Sequence, residues 1–324
     1  RLDVARTPLH PDVLVIHAAG LRADAATTEA LANDLDFDPA DMARWVNAFS
    51  QGTDAERSAR CALDGDLVRD LAAPPGPLAL PVRLGERGWR TVLIDDGGVL
   101  AAQMGSAFAR VAVVGAPESA AAALAASWTA DLGPVFAFVH LSLGEEPLHS
   151  DTTEAYVLRE RYRLRLRRIR EVVRAVARAA RSPRPQLVVL LGANGMQLGE
   201  HPVDTELPWD ERVRVPFLIG LRNAGGLPTG QLPALVQGAD LAPTILDLLD
   251  LRSSDERAGD GRDRAGISLE PFLHGWTRSP VHEELVVFGV GHVAVRTLDW
   301  KLIAAVDHRL RLSEEGGRLF ALAE

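Results

Sequence analysis

The run Asp12 to Ala18 (DVLVIHA) is apolar and β-branched and predicts a buried strand. The same pattern predicts strands from Trp89 to Ile94, Val111 to Val114, Val135 to Leu141, Leu187 to Leu191 and Val213 to Gly220. Helices are predicted from Pro39 to Phe49, Glu56 to Ala72, Glu118 to Leu132 and Ala239 to Leu249. Residues 151–181 carry the clearest helical stripe. Ala155, Leu158, Tyr162, Leu166, Ile169, Val173, Val176 and Ala180 recur in steps of three and four, and Pro183 and Pro185 follow. The tail holds strand-like runs at Leu285 to Phe288, His292 to Thr297 and Lys301 to Val306.

Strands alternate with helices through about residue 250, which predicts an α/β fold: a large, mostly parallel sheet between helices. The tail predicts a small C-terminal antiparallel β subdomain. The expected organisation is a core over 1–252, a polar flexible loop over 253–265 and the remainder of the fold over 266–324.

Composition narrows the function classes. With 324 residues and 47% hydrophobic content the chain can bury a large core. A net charge of -9 argues against nucleic-acid binding. The single cysteine, Cys61, excludes an intrachain disulfide and reads as a small buried side chain. No apolar run reaches about 18 residues, so no membrane span is expected. The first residue is Arg1 rather than Met, which is compatible with a processed N-terminus and leaves the compartment open. Of 35 Lys and Arg residues only Lys301 is lysine, as a GC-rich genome favours. Any mechanism needing a second lysine is thereby excluded.

Several stretches resemble the sulfatase family of the alkaline phosphatase superfamily, in the family's order and over nearly the whole chain. They are PDVLVIHAAGLRAD (Pro11 to Asp24), LGERGWRTVLI (Leu84 to Ile94), FAFVHLSLGEEPLH (Phe136 to His149) and LVVLLGANGMQLGEH (Leu187 to His201). VRVPFLI (Val213 to Ile219), GADLAPTILDLLDL (Gly238 to Leu251), GISLEPFLHG (Gly266 to Gly275), AVRTLDWKLI (Ala294 to Ile303) and RLFALAE (Arg318 to Glu324) follow. The resemblance implies a sulfatase-like fold and, in active members, hydrolysis of anionic esters. There a divalent cation held by carboxylates offsets the charge of ester and nucleophile.

Carried over by position, the resemblance implies a degenerate site. The paired acids after the first strand fall on Ala19 and Gly20. The nucleophile motif, C/S-x-P-S-R, matches Ala55 to Ala59, with Ser58 in place but Ala55 at the nucleophile; a two-residue slip would offer Thr53. The family's lysine and histidine fall on Asp96 and Gly98, and its second metal motif on Ala193, Asn194 and Gly195. No cofactor is therefore expected, the family Ca²⁺ site being lost. A pseudoenzyme that binds a ligand or protein partner is the leading reading.

The alternative is a hydrolase with a rebuilt metal site. His17 and His140 end two strands, and Asp95, Asp96 and His149 fall beside them. Imidazole with carboxylate suits zinc or manganese. The same residues read equally as polar remnants at a strand edge. Arg159, Arg163, Arg167, Arg170 and Arg174 share one helical face, which suits an anionic ligand or an acidic partner, a homo-oligomer included; Glu154, Glu160 and Glu171 make it also readable as a solvated face. Glu200 and His201 are expected to support their loop.

Overall fold

In the computed structural model the apolar run at Asp12–Ala18 forms the central strand β1, with every residue buried. The structure describes residues 10–68, 71, 73–76, 79–128, 133–142, 154–201, 207–224, 227, 230–258, 264–277, 281–307 and 311–322. After β1 come α1 (Thr28–Asp34), β2 (Met42–Phe49), α2 (Ala55–Asp64), α3 (Leu80–Glu86), β3 (Arg90–Asp95) and α4 (Val99–Met104). Then follow β4 (Arg110–Val113), α5 (Ala120–Ser127), β5 (Val135–Leu141), α6 (Ala155–Ala179), β6 (Gln186–Gly192), α7 (Asp210–Val213), β7 (Phe217–Arg222) and β8 (Gly230–Gln237). The chain closes with α8 (Leu241–Leu248), α9 (Ser254–Ala258), α10 (Glu270–Leu273), β9 (Leu285–Gly289), β10 (His292–Arg296), β11 (Trp300–Val306) and β12 (Leu312–Ala321).

Among the described residues the main sheet has the order β4-β3-β5-β1-β6-β7-β2-β8. Only β7 runs against its neighbours. A second sheet, β12-β11-β10-β9, is antiparallel throughout. This is the large, mostly parallel sheet with a small antiparallel C-terminal sheet that the alternation predicts.

The two faces of β1 feed different cores. Val13 and Val15 pack with Phe136, Phe138, Leu93 and the helices α2 and α8. Leu14, Ile16 and Ala18 pack on the other face with Ile169, Val173 and Val176 of α6. Because side chains alternate along a strand, His17 continues the face of Val13 and Val15, towards α2. His140 continues Phe136 and Phe138 in the same way.

The region from Pro39 to Phe49 is not a helix. It is a short turn at Pro39–Asp41 followed by β2, inserted between β7 and β8. Its eight residues (MARWVNAF) are too few to fix a period, and pairing with two neighbouring strands satisfies the backbone better than a lone turn of helix. The helix predicted from Glu56 to Ala72 ends earlier, at Asp64, because Gly65 adopts the left-handed C-cap conformation (φ 67°). Strands β8 and β12 lack a clear sequence signal; β8 alternates intermediate and exposed positions at the sheet edge.

The polar segment expected to be a flexible loop is partly ordered. Ser254–Ala258 forms α9, tied down by Arg257 to Asp247 (2.7 Å) and Arg83 to Glu256 (2.6 Å). Its residues 259–263 lie outside the described residues. No described helix is long and apolar enough to cross a membrane.

Candidate functional site

Strands β3, β5 and β1 lie side by side, and their register places Asp95, His140 and His17 in one row at the C-terminal edge. In an open parallel sheet ligands bind beyond that edge. His17 and His140 are 0% and 1% exposed. Their Nδ1 atoms lie 2.9 Å apart, and His17 Nε2 lies 3.4 Å from Ser58 Oγ on α2. Burial, and then the neighbouring His140, hold the His17 imidazole well below its usual pKa. Burial also lowers His140, against the opposing pull of Asp95 and Asp96. His140 Nε2 has no hydrogen-bond partner among the described residues.

The two aspartates serve their own loop. Asp95 accepts from the backbone N–H groups of Gly97 (3.2 Å) and Ala101 (2.8 Å), stitching β3 to the start of α4. Asp96 accepts from Ser142 N (2.6 Å) just beyond β5. Gly98 has φ 75° and begins α4, a conformation glycine adopts at little cost. The row thus brings His17, His140 and Asp95 together, while both carboxylates already accept backbone bonds. Among the described residues no group of three or more His, Cys, Asp or Glu is placed to hold a metal ion. His149 lies outside the described residues.

One residue further along, the loops after β1 and β6 meet the start of α2. Ala19, Ala55 and Ala193 pack together there, 4%, 0% and 0% exposed. Asn194 staples this junction. Its Oδ1 accepts from Gly20 N (2.9 Å) and its Nδ2 donates to Thr53 O (2.9 Å). Gly20 takes φ 71°, and a side chain added there would meet Met196 Cε at 3.7 Å and Arg165 Nε at 3.9 Å. The Ser58 contact and the Asn194 staple are not legible in the sequence, because both depend on α2 docking against β1 and β6.

The arginines of α6 divide into two groups. Arg170 and Arg174 bind the buried carboxylate of Asp34 on α1 and so fasten α6 to its neighbour. Arg159, Arg163 and Arg167 are exposed, with Arg163 paired to Glu160. The five therefore do not act as one free cationic face. Glu200 pairs with Arg22 (2.7 Å), and His201 stacks on Trp209 (4.0 Å between centroids). Both hold loops, as the sequence suggests. Cys61 is buried on α2, its thiol pushed up to about 12 by desolvation.

A predominantly parallel α/β sheet with a separate antiparallel C-terminal sheet defines the architectural class, and solved structures share it. A protein of the glycosaminoglycan-metabolism locus of Bacteroides thetaiotaomicron superposes with a TM-score of 0.70 at 11% identity, covering 96% of this chain and 89% of that one. A 2-O GAG sulfatase gives 0.62 at 15% identity, covering 96% and 85%. The phosphonate monoester hydrolase of Agrobacterium radiobacter gives 0.62 at 14% identity, covering 96% and 89%. No family model matches the chain, and no curated protein sequence matches it. The chain shares the fold of these sulfatase and phosphonate monoester hydrolase structures.

Proposed function

We propose that this chain is a sulfatase-fold protein without metal-dependent ester hydrolysis, and that it binds a ligand or protein partner. The observation that carries this reading is the packing of Ala19, Ala55 and Ala193. The resemblance puts two metal carboxylates and the nucleophile at these positions. None of the three has a side-chain oxygen, and Gly20 beside them has none either.

Calcium takes six to eight oxygen ligands, mostly carboxylates. The junction does not fit it, since Asn194, the one amide there, already accepts from Gly20 and donates to Thr53. Asp96 stands where the resemblance expects a lysine, so the local charge opposes an anionic ester. The reading that retains a metal draws on the His17–His140 contact, but among the described residues no third His, Cys, Asp or Glu completes a group with them, and structural or catalytic zinc needs at least three protein ligands.

For binding, the exposed start of α6 is the favoured surface. Arg159 and Arg167 stand two turns apart there, suited to an anionic ligand or an acidic partner protein. The test is turnover of 4-nitrophenyl sulfate, phosphate and phenylphosphonate with Ca²⁺, Mg²⁺, Mn²⁺ or Zn²⁺. The reading expects no rate above buffer with any cation. A metal-dependent rate abolished by chelator would overturn it.

A further inference from the structure

The row of polar residues at the end of β1 and β5 holds more than remnants of a metal centre. Ser58 Oγ, His17 Nε2, His17 Nδ1 and His140 Nδ1 form one continuous chain. In the tautomer that satisfies all of it, Ser58 donates to His17 Nε2 and His17 Nδ1–H donates to His140 Nδ1. That is the order of a nucleophile, a general base and a group that orients the base. The 3.4 Å first contact is the looser spacing usual before substrate tightens a site.

We propose that Ser58 is a metal-independent nucleophile, with His17 as its base and His140 as the positioning residue, acting on small uncharged carboxylic esters. This goes beyond the loss of metal chemistry and does not depend on it.

The substrate class follows from the surroundings. Ala55 lies one helical turn from Ser58 on the same face of α2 and packs with Ala19 and Ala193, so the neighbourhood is small and apolar. The charges of Asp95 and Asp96 act on His140. Their negative field disfavours a sulfate or phosphate ester and favours a neutral one. It also stabilises the imidazolium that forms when His17 takes a proton and shares it towards His140. His17 is neutral in the resting site, the form a base requires.

Ser58 Oγ bonds to the ester carbonyl carbon as its proton passes to His17 Nε2. The bond from that carbon to the alcohol oxygen breaks, and the alcohol leaves with the proton from His17. Water then attacks the acyl-Ser58, giving a proton to His17, which returns it to Ser58 Oγ as the acid departs. Ser58 is fully buried, so the electrophile must be small.

The experiment treats the whole, chelator-stripped chain with methanesulfonyl fluoride, a small uncharged electrophile, at neutral pH and reads intact mass and peptide map. Attack by Ser58 Oγ on sulfur expels fluoride, and the serine proton passes to His17. A single methanesulfonyl group on Ser58 is expected, absent in Ser58→Ala and formed roughly 100-fold more slowly in His17→Gln. His140→Leu should slow the adduct as His17→Gln does, and His140→Asp, which supplies a carboxylate orienter, should react faster than His140→Leu; equal rates in wild type and a folded His140→Leu would remove the positioning role. Thermal melts of each variant separate lost reactivity from lost folding. No adduct on the folded wild type, an adduct on Ser58 only after unfolding, or an unchanged rate in a folded His17→Gln overturns the proposal. The reagent needs no metal, so these outcomes are independent of the metal-dependent assays.

Discussion

His17 and His140 meet across adjacent parallel strands with their Nδ1 atoms 2.9 Å apart, and neither is exposed to solvent. A shared hydrogen bond of this kind needs one ring to donate and the other to accept, so the two imidazoles cannot both be protonated while it is kept.

That relationship fixes a pH dependence. Burial depresses both histidines in the folded state, so the unfolded chain binds these protons more readily. Their contribution is present above the unfolded value, about 6.5, and is lost as pH falls below it. Each imidazole that stays neutral should cost about 1.4 kcal/mol per pH unit there. Urea unfolding between pH 7.5 and 5.5 should show this slope, and His17→Gln/His140→Gln should flatten it. Equal slopes in both proteins would contradict the assignment.

Restoring acids to the alanine cluster should harm the fold. Ala193→Asp places a carboxylate among Ala19 and Ala55 with no buried cation beside it in that cluster. The expected loss is about 2–4 kcal/mol by denaturant titration. Gly20→Asp adds strain from its positive φ. A variant as stable as wild type would show that the cluster has room for a solvated carboxylate.

The Asn194 staple can be tested by a one-atom change. Asn194→Asp keeps the acceptor for Gly20 N but turns a donor against Thr53 O into a second acceptor. It should lose about 2 kcal/mol at neutral pH. Part should return at acid pH, where the protonated carboxyl can donate again. Asn194→Ala should lose at least as much with no such recovery.

The only lysine, Lys301, is 2% exposed and donates to Asp210 (2.6 Å), which also binds Arg296 (3.0 Å). Asp210→Ala leaves two cations without this partner and should cost about 3–5 kcal/mol. Lys301→Met should cost clearly less, since Arg296 still neutralises Asp210 and methionine fills the space. The reverse order in chemical denaturation would refute a structural role.

The arginines of α6 should separate by function. Arg170→Ala withdraws a partner from buried Asp34 and should lower the melting point. Arg159→Glu and Arg167→Glu should change stability by less than about 0.5 kcal/mol. Together they should lower the salt at which the protein elutes from a heparin column. If elution is unmoved, α6 is not the binding surface.

Much of this architecture is legible in the sequence, for physical reasons. The runs of β1, β5 and β6 are buried on both faces and read as continuous apolar segments, which only strands inside a parallel sheet afford. The stripe of α6 is long enough to fix its period. β2 misleads because its eight residues sit beside a turn with Pro39 and carry no alternation. At the site, His17, His140 and Asp95 fall at the ends of three strands, and strand ends in one sheet share an edge, which is why their register can be anticipated. The sequence misses Ser58 and Asn194 as partners because their contacts are made by tertiary docking. It overstates the arginine face because the carboxylate of Asp34 is 136 residues from Arg170 in the chain.

The central claim is that the site no longer works through a bound cation. The most direct measurement is thermal unfolding of the chelator-stripped protein with Ca²⁺, Mg²⁺, Mn²⁺ or Zn²⁺ returned singly. A native-state ligand at 100 times its dissociation constant would stabilise by about 2.7 kcal/mol. The account predicts no shift with any of the four. A clear rise with one cation, lost in His17→Gln or His140→Gln, would contradict it and establish a metal centre at the end of β1 and β5.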